Sequence, residues 1–298
     1  MAHMVIRAFF AMLIGAQTAA AQDPVDALRE RVVSRVSEVT GATVGVVFAE
    51  VGGGAAFWLN PDSVFHAAST MKVPVMIEYF RGIDAGRIRR DQDLLLGTGF
   101  KSIVDGSPYA LDAGVDSDSS VFARVGQRVP LRWLVERMIV RSSNLATNTL
   151  IEVLDARRID ATARSLGTST MKVLRGVEDG KAFQQGLNNQ TSARDLAVLL
   201  DAIESGQAAS KASCREMIGI LARQEFNDEI PAGLPPGTQV AHKTGWITGV
   251  SHDAALVYPP DRKPYVLVVL TKGIRERPAA QRLIADVSRL VWEFVTTS

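Results

Sequence analysis

Strand-like sequence sits near the two ends of this chain, and a long helical pattern separates them. Thr43 to Val51 (TVGVVFAEV) and Ala55 to Leu59 (AAFWL) read as two strands joined at Gly52-Gly53-Gly54. No Lys-Ser/Thr pair follows the glycines, so a hairpin turn is expected there rather than a phosphate cradle. Gln239 to Trp246, Asp253 to Tyr258 and Pro264 to Leu270 read as three further strands, split by turn residues such as Pro259-Pro260-Asp261. Helical patterns flank them. Val25, Leu28, Val32 and Val36 share one face between Asp23 and about Val39, and Leu283, Val287, Leu290 and Val291 do so between Pro278 and Val295. The order predicts an α+β fold. One antiparallel sheet is built from N- and C-terminal segments (about 22–68 and 236–298), and an all-helical lobe (about 69–235) is inserted between them. The cleft between sheet and helices is where a site belongs. The longest break in the helical part is the Gly/Asp/Ser-rich stretch from Gly97 to Ser120.

Lys plus Arg is 33 and Asp plus Glu is 32, a formal charge of +1, so there is no electrostatic footprint for nucleic acid. The first residues read as an export signal. Arg7 is the positive n-region, Ala8 to Gly15 the apolar run, and Ala19-Ala20-Ala21 the cleavage pattern. The run is too short to span a bilayer. Residues 22–298 are then expected as one catalytic domain, periplasmic or secreted, with no membrane span once the signal is removed, and monomeric. Cys214 is the only cysteine; it sits in an apolar-periodic stretch and reads as a core residue.

Three short polar clusters carry chemistry. In Ser69-Thr70-Met71-Lys72, a helix starting at Ser69 puts Lys72 on the same face as the hydroxyl. A lysine made neutral by burial and neighbouring positive charge can take the serine proton. Pro74 tolerates only a helix that starts this close. Ser142-Ser143-Asn144 lies between two amphipathic helical patterns, where Ser142 or Ser143 would serve as an N-cap or Ser142 as a second proton-relaying hydroxyl. Lys243-Thr244-Gly245 lies on the strand from Gln239. Alternation there puts Lys243 and Gly245 on one face and Thr244 on the other, unless the strand is an edge opening into a cleft. Glycine lets a substrate approach the backbone closely. His66, His242 and His252 lack metal-ligand spacing and read as structural or surface residues.

Taken together, Ser-x-x-Lys, Ser-x-Asn and Lys-Thr-Gly in this order resemble the class A β-lactamases and penicillin-binding proteins, over essentially the whole mature chain. Met138 to Ile151 (MIVRSSNLATNTLI) and Gly249 to Tyr258 are also similar to that superfamily. The resemblance implies a β-lactamase/transpeptidase-like fold and a serine hydrolase working through an acyl-enzyme, with β-lactam ring hydrolysis as the leading activity. D-alanyl-D-alanine peptidase activity, a simple esterase and a non-turnover β-lactam sensor are the other readings. The implied substrate is a small β-lactam or a D-Ala-D-Ala peptide, and neither a metal nor an organic cofactor is implied. By that resemblance Ser69 is the nucleophile, Lys72 the base or proton relay and Ser142 the group that passes the proton on to the leaving nitrogen. Asn144 positions substrate and Lys72, Lys243 sets positive potential and Thr244 binds a substrate carboxylate. The backbone N–H groups of Ser69 and Trp246 hold the oxyanion.

Several features depart from the family. Ser143 stands where Ser-Asp-Asn carries aspartate. The deacylating glutamate falls by spacing on Glu178, in Arg175-Gly176-Val177-Glu178-Asp179, but the family's Glu-x-x-Leu-Asn is absent and Leu187-Asn188 comes later. The competing expectation is that Glu178 is a surface loop acid, paired with Arg175. Trp246 follows Gly245 where a small residue is usual. The Ser69-to-Ser142 interval is long, with the excess in Gly97 to Ser120, and Tyr109 on that loop is expected either to wall the cleft or to anchor the surface.

Overall fold

The structure is a computed structural model that describes residues 23–297, so the expected export signal lies outside the described residues. Helix α1 (Pro24–Ser37) leads into strands β1 (Thr43–Glu50), β2 (Ala56–Leu59) and the two-residue β3 (Phe65–His66). A 3-10 turn, Ala68–Met71, runs straight into α2 (Lys72–Asp84). Three short strands follow, β4 (Asp93–Leu95), β5 (Gly99–Lys101) and β6 (Pro108–Ala110), then the one-turn helix α3 (Ser119–Phe122) and β7 (Arg128–Pro130). Helices α4 (Leu131–Val140), α5 (Asn144–Leu154), α6 (Ala156–Ser165) and α7 (Gly180–Gln184) precede β8 (Gln190–Thr191), α8 (Ala193–Glu204) and α9 (Lys211–Leu221). A second 3-10 turn, Ile230–Gly233, comes before β9 (Gln239–Ile247), β10 (Val250–Tyr258), β11 (Tyr265–Lys272) and α10 (Arg277–Thr297).

The sheet has the order β2-β1-β11-β10-β9, so strands from both ends of the chain meet at the antiparallel β1–β11 pair. Both faces of the central strands are buried, which is why β10 and β11 read as near-continuous apolar runs rather than as alternation. On one face α1 and α10 cover Val46, Phe48, Leu267 and Val269. On the other, Val47, Val268 and Leu270 join the large core around α2, α4, α5 and α8. Strand β9 is an edge. The helical part also carries two short ribbons, β4–β7 and β5–β6. The stretch expected as one long loop therefore holds the β5–β6 hairpin and α3. Cys214 is buried in the larger core, as expected.

Candidate active site

Ser69 lies in the 3-10 turn, where residues three apart eclipse one another, so Lys72 follows on the same side with α2 beginning at that residue. Pro74 falls in the first turn of α2, where its missing N–H costs nothing. The turn packs against β9 through Gly245. A Cβ there would stand 2.8 Å from the Ser69 nitrogen and 2.9 Å from that of Thr70. Close approach to the strand is thus required by the protein's own first turn, and the sequence had assigned it to the substrate.

At the start of α5 the two serines divide the work. Ser143 is the N-cap, accepting from the Ala146 nitrogen at 3.2 Å. Asp116, which the sequence did not single out, accepts from the nitrogens of Asn144 and Leu145 at 2.9 Å each and from Ser143 Oγ at 3.3 Å. Asp116 comes from the long stretch before α3, and nothing in its local pattern marks it. With the helix end satisfied, Ser142 is free to point elsewhere.

Ser142 Oγ accepts from Lys72 Nζ at 3.2 Å and from Lys243 Nζ at 3.1 Å, so one hydroxyl joins two fully buried amines. Lys72 also donates to Ser142 O at 2.6 Å and Asn144 Oδ1 at 2.9 Å. Burial, then the neighbouring Lys243, hold Lys72 well below the ordinary lysine range, while Asp116 and Glu178 oppose that shift. Lys243 is brought down to about 7 by burial, against the pull of Asp253 and Glu229. A pair of like charges sharing one hydroxyl in a dry site favours the loss of one proton.

A crevice of about 400 Å³, lined by Ser69, Asn144, Glu178, Trp246, His66 and Phe183 among others, adjoins them through Asn144, which accepts from Lys72 Nζ. Glu178 stands on its exposed rim and accepts from Asn144 Nδ2 at 2.7 Å. Desolvation raises its pKa, as does Asp116, while the Asn144 bond and Lys72 oppose the rise. Asn148, another residue the sequence left unmarked, lies four positions after Asn144 on α5. It accepts from the Val177 nitrogen at 2.6 Å and donates to Val177 O at 3.0 Å. Gly176 makes this possible, since a Cβ there would meet the Asn148 carboxamide at 2.5 Å.

Two expectations change. Arg175 does not pair with Glu178. It donates instead to Leu187 O, Gly176 O and Asn188 Oδ1, folding the loop back on itself. Tyr109 lines no part of the crevice and braces the Glu178 loop, its hydroxyl donating to Val177 O at 3.4 Å. Thr244 is fully buried, and its hydroxyl has no partner. By strand alternation it shares a face with His242, which pairs with Asp253 at 3.0 Å, and with Trp246. Trp246 does reach the crevice, packed edge-on against Phe226 and stacked under the Arg277 guanidinium 3.8 Å from the ring centroid.

Ala68, Ser142 and Glu178 all have positive φ, at 45°, 59° and 62°. Each non-glycine residue held this way costs on the order of 1 kcal/mol. That three such residues bracket one crevice marks a site whose surroundings over-determine its shape. Ser69 and Glu178 line one crevice, and Asn144 joins it to the buried amines that share the Ser142 hydroxyl, an arrangement that suits acyl transfer followed by hydrolysis.

A sequence model described as the Beta-lactamase enzyme family matches residues 27–295. The chain is 27% identical to Beta-lactamase AST-1 of Nocardia asteroides, over 87% of this chain and 81% of that protein. It is 25% identical to a β-lactamase of Streptomyces albus G, over 89% and 83%. Among solved structures, a β-lactamase from Sphaerobacter thermophilus superposes with a TM-score of 0.78 at 27% identity, covering 92% of this chain and 98% of that one. The structure of PBP-A superposes equally well, with a TM-score of 0.78 at 29% identity over 91% and 97%. A PBP-A mutant has been solved as an acyl-enzyme complex with penicillin G.

Proposed function

The chain belongs to the β-lactamase enzyme family, and we propose that it opens β-lactam rings by hydrolysis through an acyl-enzyme on Ser69. The observation that carries this reading is the Ser142 hydroxyl held between Lys72 and Lys243, with Asn144 joining Lys72 to the crevice that Ser69 lines.

Neutral Lys72 takes the Ser69 proton as Oγ bonds to the lactam carbonyl carbon. The oxyanion so formed is held by the backbone N–H groups of Ser69 and Trp246. As the C–N bond breaks, the proton passes from Lys72 through Ser142 to the ring nitrogen, leaving a Ser69 ester and a neutral Lys72. Glu178 then takes a proton from water while the water oxygen attacks the ester carbonyl. The ester C–O bond breaks, Ser69 Oγ regains a proton, and the acid is released. Lys243 supplies positive potential for the substrate's carboxylate at and below about pH 7. The export pattern of residues 7–21 supports action in the periplasm or outside the cell. Among the described residues no helix is long and apolar enough to cross a membrane.

Incubation with a chromogenic cephalosporin, followed by intact mass, tests the reading. Rapid colour release without a lasting adduct, abolished in Ser69→Ala, is expected. A stoichiometric adduct that persists would instead show a penicillin-binding protein with slow deacylation. No adduct and no turnover would remove Ser69 as nucleophile.

A further inference from the structure

His66 carries no ligand spacing in the sequence, yet the structure sets its ring in the crevice wall beside Ser69. Its Nδ1 accepts a hydrogen bond from the Ala68 nitrogen at 3.0 Å. Ala68 is the residue with φ of 45° that immediately precedes Ser69. An N–H can donate to a ring nitrogen only if that nitrogen bears no proton, so this contact fixes His66 as the neutral tautomer protonated at Nε2. The backbone of His66 is itself anchored, pairing with Gln190 across β3–β8 and accepting from His252 Nε2 at 3.0 Å. The ring meets Phe183 of α7 edge-on, with centroids 6.2 Å apart.

We propose that His66 is a positioning residue for acylation, its unprotonated Nδ1 holding the left-handed turn at Ala68 that aims the Ser69 N–H and hydroxyl, and that protonation of this nitrogen releases the turn. The inference rests on Ser69 being the nucleophile. Protonation turns the acceptor into a donor facing another donor, so the bond is lost while the cost of the left-handed alanine remains. A small misplacement of a nucleophile or oxyanion donor is enough to slow a chemical step by one to two orders of magnitude.

The groups around the ring keep it neutral in ordinary conditions. Burial and the Arg175 guanidinium of the loop hold His66 below its usual pKa. His252 of β10, itself brought down to about 4, is the other titratable group acting there. Asp179 lines the same crevice, but its carboxylate accepts from Ser102 Oγ and from the nitrogens of Ile103 and Ala182. Phe183 and Gln190 bring no charge.

Single-turnover acylation by a chromogenic cephalosporin, followed by stopped flow from pH 4.5 to 8.5, tests this on the intact protein. Asparagine can place its Oδ1 where Nδ1 stands and does not titrate, so His66→Asn is expected to acylate within about threefold of the parent at pH 7.5. The ratio of His66→Asn to parent rates is then expected to rise at least fivefold as pH falls through the His66 pKa, read independently by NMR of ¹⁵N-histidine. His66→Leu is expected to acylate at least tenfold more slowly at every pH. A flat ratio, or a leucine variant as fast as the parent, overturns the proposal. So does an NMR spectrum of the parent showing His66 with its proton on Nδ1, a measurement that needs no variant to fold. If Ser69→Ala releases colour as fast as the parent, it is the nucleophile assignment that fails.

Discussion

Asn144 donates from Nδ2 to Glu178 Oε1 at 2.7 Å, tying the rim acid to the helix that begins beside Ser142. Glutamine at 178 can still accept that bond but cannot take a proton from water. Glu178→Gln is therefore expected to leave acylation unchanged and slow deacylation about 100-fold or more. Intact mass should show an ester that persists where the parent shows none. Unchanged turnover would take Glu178 out of the mechanism.

The clamp below that acid should be separable from the chemistry of Ser69. Asn148 holds both backbone groups of Val177, the residue before Glu178. Asn148→Ala is expected to slow deacylation about tenfold while acylation stays within about twofold of the parent, because Lys72 and Ser142 are not touched. Each lost bond should cost about 1 kcal/mol, visible as a lower melting temperature. Equal losses in the two steps would show that the clamp supports the whole crevice instead.

Gly245→Ala presses a methyl carbon to 2.8 Å from the Ser69 nitrogen. The nearest atoms are the backbone nitrogens of Ser69 and Thr70, so strand or turn must move. Overpacking of this kind costs about 1–3 kcal/mol, and acylation is expected to fall about tenfold or more as the Ser69 N–H shifts. Thermal unfolding and single-turnover rates measure the two effects. A variant with parental acylation would show that the N–H direction at this turn is not limiting.

A pH effect on stability is expected from Glu229, which is fully buried behind β9 and has one carboxylate oxygen without a partner. Burial, then Asp253, push its carboxyl up to about 7, with Arg277 opposing. The folded chain thus holds a proton that the unfolded chain releases near 4.5. The stabilisation is complete below that pH and is lost as pH rises through about 7. Glu229→Gln cannot ionise and escapes this loss. Chemical denaturation at pH 4.5 and pH 8 should show the variant gaining on the parent by on the order of 1 kcal/mol or more. A constant difference between the two would contradict the shift.

The fold was legible because its signals are long. Strands and helices with strong periodicity at both ends told where the sheet comes from, and the motif residues Ser69, Lys72, Ser142 and Lys243 followed from short patterns with fixed spacing. What stayed hidden depends on contacts between distant segments. Asp116 reaches the start of α5 from a loop whose composition suggests only turns, and Asn148 looks like any polar residue on a helix. Alternation along β9 was legible as well: Lys243 reaches Ser142 from one face, and Thr244 shares the other with His242.

Ala68, Ser142 and Glu178, the three left-handed residues around the crevice, set a limit on how far this protein can be hardened. Glycine or asparagine at such positions relieves strain and is among the simplest ways to raise a melting temperature. Yet these side chains and their tilted backbones are what hold nucleophile, relay and rim acid in register. Thermal robustness gained at those positions will trade against turnover, so durable variants must draw their stability from elsewhere in the chain.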